Sequence, residues 1–168
     1  MSTRVLLVDD QRIVRHGLRL IIEQHPGLRV VGEATDADAA IAAARESLPD
    51  LVFMDIHMPG QDGIEITRRL LAERPATRVL MLSGAAEIDL VQRALRAGAC
   101  GYVLKDNAPE QLTAAIKAVL AGHCYLCPAI TTLVLQDYGR LLAESPATQT
   151  HPARAFKSRP RSRDPLYL

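Results

Sequence analysis

The chain has 168 residues, 48% hydrophobic and 23% charged, with a formal net charge of +1, a composition ordinary for a globular protein that buries a core without disulfide or metal. No apolar run approaches the ~20 residues that span a bilayer, and the N-terminus is apolar only from Val5 to Val8 before it turns acidic, which argues against a signal peptide. With neither feature, no membrane partner is expected, the expected location is cytoplasmic, and the three cysteines are expected to stay reduced.

In chain order, short apolar runs alternate with longer segments of helical period. The run Val5–Val8 leads into Gln11–His25, where Ile13, Leu18, Ile21 and Ile22 share one side and Pro26-Gly27 ends the helix. Leu28–Val31 is followed by the Ala-rich stretch Asp36–Ser47, with Pro49 just after it. Leu51–Met54 leads to Gly63–Arg74, which carries Ile64, Ile66, Leu70 and Leu71 and stops at Pro75. Val79–Leu82 leads to Glu87–Ala97, with Gly98 as the cap beyond. Tyr102–Leu104 leads to Pro109–Ala121, with proline at the start and Gly122 past the end.

Five β-then-α repeats with short, continuous apolar strands predict an α/β fold whose parallel sheet is buried on both faces. Beyond it, Ile130, Leu133, Val134, Leu141 and Leu142 allow a sixth helix over 128–144, interrupted near Gly139, expected to act as a linker helix. From 145 to 168 the sequence is Pro-, Thr- and Arg-rich, and a disordered tail is expected. That tail concentrates charge: residues 151–168 hold five basic side chains against Asp164, so the remaining 150 residues carry 15 basic and 18 acidic groups.

Polar residues stand immediately after four of the apolar runs: Asp9 and Asp10 after the first, Asp55 after the third, Ser83 after the fourth and Lys105 after the fifth. Each alone could cap a helix or face solvent. In a doubly wound sheet, however, strand ends converge on one rim, where ligands gather. Three carboxylates crowded there repel one another and call for a cation. Oxygen donors of this kind suit Mg²⁺, with waters and phosphate oxygens completing its shell. With Lys105 as a point charge and Ser83 as a hydroxyl donor, the set is equipped for phosphoryl transfer to a carboxylate.

The segments VLLVDDQRIVRHGL, LVFMDIHMPGQDGIE, VLMLSG and AGACGYVLKD, in that order and spacing over about residues 3–127, resemble the blocks of response-regulator receiver domains. More narrowly, they resemble the NarL/FixJ type that joins a receiver to a LuxR-type helix-turn-helix. The resemblance implies a flavodoxin-like sheet of five parallel strands in the order 2-1-3-4-5 with five helices, and a receiver spanning 1–127. It implies that Asp55 is the phosphoacceptor. It further implies that Asp10, Asp55 and the backbone carbonyl of His57 ligate Mg²⁺, with Asp9 acting mainly through water. Ser83 would hydrogen-bond the arriving phosphoryl group and Lys105 would pair with one of its oxygens. Tyr102 would be the switch aromatic, moving inward as Ser83 is drawn to the phosphate. A sensor histidine kinase or a small phosphodonor would supply the phosphoryl group, and a homodimer would form on phosphorylation. Self-phosphorylation and slow autodephosphorylation would be the only chemistry.

Cys124-x-x-Cys127 beside His123 raises a zinc or redox alternative. The site lacks a fourth ligand nearby, and Tyr125-Leu126-Cys127-Pro128 fits the family's Tyr-Leu-Ser-Pro stretch with cysteine in place of serine, so the plain structural reading is preferred. A LuxR-type output domain would need roughly 60 residues with a recognition helix, whereas only about 40 follow Cys127 and no such helix is read there. Read one base later, the degenerate codons of Gln149–Ala155 permit (Lys/Arg)-Leu-Thr-Pro-Arg-Glu-Arg, which resembles the opening of that domain; truncation, frameshift and a true single-domain regulator all stay open. DNA binding is therefore expected only if an output domain exists elsewhere. A phosphatase with an aspartate nucleophile fits less well, because its second acid would stand two residues from the first rather than adjacent to it. A phosphate-independent interaction module fits less well because every active-site position is filled.

Overall fold

The computed structural model describes residues 1–106 and 109–145; the basic stretch expected to be a disordered tail lies, after Ser145, outside the described residues. The elements in chain order are β1 (Thr3–Val8), α1 (Arg12–Glu23), β2 (Leu28–Ala34), α2 (Ala37–Ser47), β3 (Leu51–Asp55), β4 (His57–Met58), β5 (Gln61–Asp62), α3 (Gly63–Glu73), β6 (Arg78–Ser83), α4 (Ile88–Arg96), β7 (Gly101–Leu104), α5 (Pro109–Leu120), β8 (Tyr125–Leu126) and α6 (Pro128–Glu144).

The main sheet runs β2-β1-β3-β6-β7-β8 with every pair parallel. Its first five strands keep the expected order, and the reason is visible in burial. All five residues of β3 are buried, as are the last four of β1 and the last five of β6, so these runs need apolar cover on both faces. On one face Ala40, Ile41 and Ala44 of α2, Ile64, Ile66 and Leu70 of α3, and Leu90, Val91 and Ala94 of α4 pack against Leu6, Val8, Val52 and Met54. On the other, Leu18 and Ile22 of α1 and Leu112, Ala115, Ile116 and Val119 of α5 pack against Val5, Leu7, Phe53 and Leu80. The alternation of the two sets along each strand is the two-residue pleat.

The strand count and the course of α6 differ from the sequence expectation. The sheet has six strands rather than five, because β8 adds to the open edge of β7. Gly122 at φ +89 turns the chain after α5. The Tyr125 amide then donates to the Cys100 carbonyl at 3.0 Å and the Cys127 amide to that of Tyr102 at 3.2 Å. Two residues are too few to show a strand period. The described helices number six, and α6 runs through Gly139 without the expected interruption. A glycine inside a helix costs only ~1 kcal/mol, and Arg140, paired to both Asp137 and Glu144, supports the turns on either side. This helix is seated on the domain. Cys127 and Ile130 are fully buried, and Gln92 of α4 donates to Asp137 at 2.7 Å.

Helix starts follow local chemistry. Asp36 accepts from the Ala39 amide at 2.8 Å and Asp62 from the Ile64 amide at 2.9 Å. Replacing Asp36 with Ala removes the first of these caps and should lower stability by about 1 kcal/mol, read as a shift in the urea midpoint at unchanged slope. No described helix is long and apolar enough to cross a membrane.

Candidate functional site

Parallel register brings the polar strand ends to one rim. Val8 stands beside Met54, Asp55 beside Leu82, and Ser83 beside Leu104. The residues that follow β1 and β7, namely Asp9, Asp10 and Lys105, therefore leave the sheet next to Asp55 and Ser83. Lys105 is tied to its neighbour by its own amide, which donates to the Ser83 carbonyl at 2.8 Å.

The side chains meet. Carboxylate oxygens of Asp9, Asp10 and Asp55 lie within 4.8 Å of one another. The Lys105 Nζ is 2.9 Å from Asp9 Oδ2 and 3.1 Å from Asp55 Oδ2. Asp9 and Asp55 are each only 1% exposed, so their charges are felt strongly. Burial first, and the charge of Asp9 second, push the Asp55 carboxyl up to about 6, against the opposing pull of Lys105 and the His57 amide. For Lys105 burial acts against the charge, but its close ion pairs with Asp9 and Asp55 outweigh it and its pKa is raised.

One oxygen of each buried carboxylate is satisfied by the backbone: Asp9 Oδ1 accepts from the Gln11 amide at 2.8 Å, and Asp55 Oδ1 from the His57 amide at 3.3 Å. Asp9 Oδ2 and Asp55 Oδ2 are near Lys105, yet neither accepts a well-directed hydrogen bond. Three carboxylates face one ammonium, and two buried oxygens have lone pairs to spare. Hard oxygen donors with excess negative charge fit a divalent cation such as Mg²⁺. Among the described residues no other group of three or more His, Cys, Asp or Glu side chains is gathered closely enough to hold a metal ion. Cys127 is buried as the residue before α6, Cys124 is exposed, and the zinc alternative gains no support.

Around this cluster, the Ser83 hydroxyl is buried and accepts from the Ala85 amide at 3.0 Å. Tyr102 is fully buried, with its hydroxyl donating to the Ala85 carbonyl at 3.0 Å. The resemblance implies a ring that moves inward; here the ring already lies inward, held by the loop that follows Ser83. The His57 side chain is exposed while its amide holds Asp55.

Three participants were not singled out for these roles from the sequence. Gln11 supplies the amide that holds Asp9, and its side-chain oxygen lies 3.4 Å from the Lys105 Nζ. Ala85 offers one carbonyl near both Ser83 and Tyr102. Arg15 donates to the Asp9 carbonyl at 2.8 Å. None carries a local signal: two act through backbone atoms, and an arginine on a helix is ordinarily solvated.

Comparison with known proteins gives the chain's family and fold. Residues 5–117 match the family described as "Response regulator receiver domain". The chain is 38% identical over 144 residues to response regulator GacA of Pseudomonas viridiflava, covering 85% of this chain and 67% of that protein. Among solved structures it is similar to a LuxR-family two-component response regulator from Aurantimonas sp. SI85-9A1, with TM-score 0.79, 40% identity, and coverage of 83% of this chain and 99% of that one. It is also similar to the isolated REC domain of RcsB from Salmonella enterica serovar Typhimurium in the presence of phosphomimetic BeF3⁻, with TM-score 0.74, 27% identity, and coverage of 79% and 99%. The chain spans 58% to 67% of the length of curated relatives that it matches.

Proposed function

The chain belongs to the response regulator receiver family, its homologues being regulators of LuxR type, and from that premise we propose that Asp55 is its phosphoacceptor. A receiver is a signalling fold rather than a turnover enzyme. The observation that supports this site is the single ammonium of Lys105 set between the buried carboxylates of Asp9 and Asp55, with Asp10 beside them.

Each residue has a role that its surroundings suit. Asp55 offers its Oδ2 as the nucleophile that attacks phosphorus while the bond to the donor's nitrogen or oxygen breaks. Asp10, Asp55 and the His57 carbonyl would hold Mg²⁺, with Asp9 acting on it mainly through water. When bound, the ion neutralises charge on the carboxylates and the incoming phosphoryl oxygens. Lys105 pairs with one phosphoryl oxygen, and Ser83 turns its hydroxyl from the Ala85 loop to another. The loop at Ser83–Ala86, with Tyr102 bonded to Ala85, then settles differently. Phosphorylation thus biases a two-state element near α4 and β7.

The donor is a sensor histidine kinase or a small acyl phosphate. The output is a protein-contact face that includes a homodimer, the location is cytoplasmic, and dephosphorylation is slow and intrinsic. The receiver unit is 1–127, α6 is the helix that leads out of it, and 145–168 is a basic tail. A second reading, a DNA-binding transcription regulator of LuxR type, draws on the greater length of the relatives; its output domain would be truncated or supplied elsewhere. Sequence-specific, phosphorylation-enhanced retardation of DNA by this chain would favour it.

The test is incubation with Mg²⁺ and acetyl phosphate, followed by intact mass measurement. Wild type should gain one phosphate-sized increment and Asp55→Asn none. A gain in both proteins, or in neither, overturns the assignment.

A further inference from the structure

Arg15 sits in the first turns of α1 with a side chain only 13% exposed. Its guanidinium makes two bonds at once. Nε donates to Glu33 Oε2 at 2.8 Å, and Nη1 donates to the backbone carbonyl of Asp9 at 2.8 Å. Glu33, near the end of β2, is itself anchored on its other oxygen by Arg19, at 2.6 Å. Hydrogen bonds from Arg15 and then Arg19 hold the Glu33 carboxyl below its usual range, so it stays charged and keeps its grip.

The carbonyl that Arg15 takes belongs to the peptide joining Asp9 to Asp10. On the other side of Asp9, its amide donates to the Ala34 carbonyl at 3.1 Å. The peptide planes before and after Asp9 are thus both tied down. A planar peptide fixes the path into the next Cα, and with it where Asp10 is placed on the rim. A metal cluster needs that placement set beforehand, because three mutually repelling carboxylates would otherwise splay apart.

We infer that Arg15 is a positioning residue for the acidic cluster, clamping the Asp9–Asp10 peptide to Glu33 so that both carboxylates face Asp55 and the cation they would share. This rests on the reading of Asp9, Asp10 and Asp55 as the Mg²⁺-dependent acceptor site. The clamp requires the planar fork of arginine. A lysine ammonium is a compact point charge that lacks the separate, fixed donors with which the guanidinium serves Glu33 and the Asp9 carbonyl at once.

The test uses the full chain as wild type, Arg15→Ala and Arg15→Lys. Mg²⁺ affinity is measured by calorimetric titration, thermal unfolding is recorded in EDTA, and phosphate gain from acetyl phosphate is followed at low and saturating Mg²⁺. Loss of an outer contact of this kind typically weakens metal affinity by about 10-fold to 100-fold. Both variants should show a Mg²⁺ dissociation constant raised by about tenfold or more, with slow phosphate gain at low Mg²⁺ that recovers at saturation. A wild-type dissociation constant in Arg15→Ala, whether or not its melting temperature falls, overturns the clamp, and so does full restoration by lysine. Failure of the underlying reading looks different: wild type itself then neither binds Mg²⁺ nor gains phosphate.

Discussion

Gly63→Ala should be the most damaging single substitution near the site. A Cβ built on Gly63 would lie 1.8 Å from the Asp55 carbonyl oxygen, 2.8 Å from the Asp55 carbonyl carbon and 3.0 Å from the Ile56 Cα. All three are backbone atoms, so no side chain can swing aside. The close approach exists because the loop after β3 folds back sharply: the Gly63 amide donates to the Ile56 carbonyl at 2.8 Å, and α3 starts at once. Inserting even one carbon into packed surroundings costs about 1–3 kcal/mol, and a backbone collision belongs at or above the top of that range. For a domain of this size ~3 kcal/mol corresponds to roughly 6–12 °C in melting temperature. Circular dichroism melts should show such a drop, together with slower phosphate gain because Asp55 itself must shift. A melting temperature within about 2 °C of wild type would show that the loop yields easily and that the glycine is not needed.

Asp55→Asn should do the reverse and stabilise the fold at neutral pH in metal-free buffer. The Asp55 carboxyl is raised to about 6 from 3.8, mainly by burial and then by the Asp9 charge. An acid whose folded pKa exceeds its unfolded pKa binds its proton more tightly in the folded state. Stability is therefore lost as pH rises through the window from about 4 to about 6, and the deficit persists above it. At 1.36 kcal/mol per unit, the deficit is of order 1–3 kcal/mol. Asparagine carries no charge to bury and escapes it. Urea unfolding in EDTA should find Asp55→Asn more stable than wild type at pH 7, with the difference shrinking toward zero near pH 4. Equal stabilities at pH 7 would mean that Lys105 fully offsets the cost of burying Asp55.

The strand ends were legible because the chemistry there is written in adjacent residues. Asp9-Asp10, Asp55, Ser83 and Lys105 each follow a short, continuous apolar run that suits a buried strand, and parallel strands send their ends to one rim. The helices were legible to within one or two residues at each end, since Pro26, Gly98 and Gly122 act locally through φ and the missing amide. The sixth strand was not, because β8 is an edge partner for Gly101 and Tyr102 and nothing in two residues announces it. The unbroken course of α6 was not legible either. Gly139 weakens the local signal, and the helix is anchored instead by Ile130 in the core and by Gln92 of α4 on Asp137.

By itself, then, the sequence determined the α/β class and which side chains occupy the functional rim, since hydrophobic period and residue type are properties of short segments; the order of the five central strands came only through the family resemblance of its motifs. The tertiary structure alone decided that Gly63 lies against the Asp55 carbonyl, that Ala85 serves Tyr102, and that Arg15 ties Glu33 to the Asp9 peptide. Those contacts join residues 6 to 18 positions apart, and all but the Arg15–Glu33 pair use a backbone atom, which every residue possesses. Only the folded path of the chain says which of them meet.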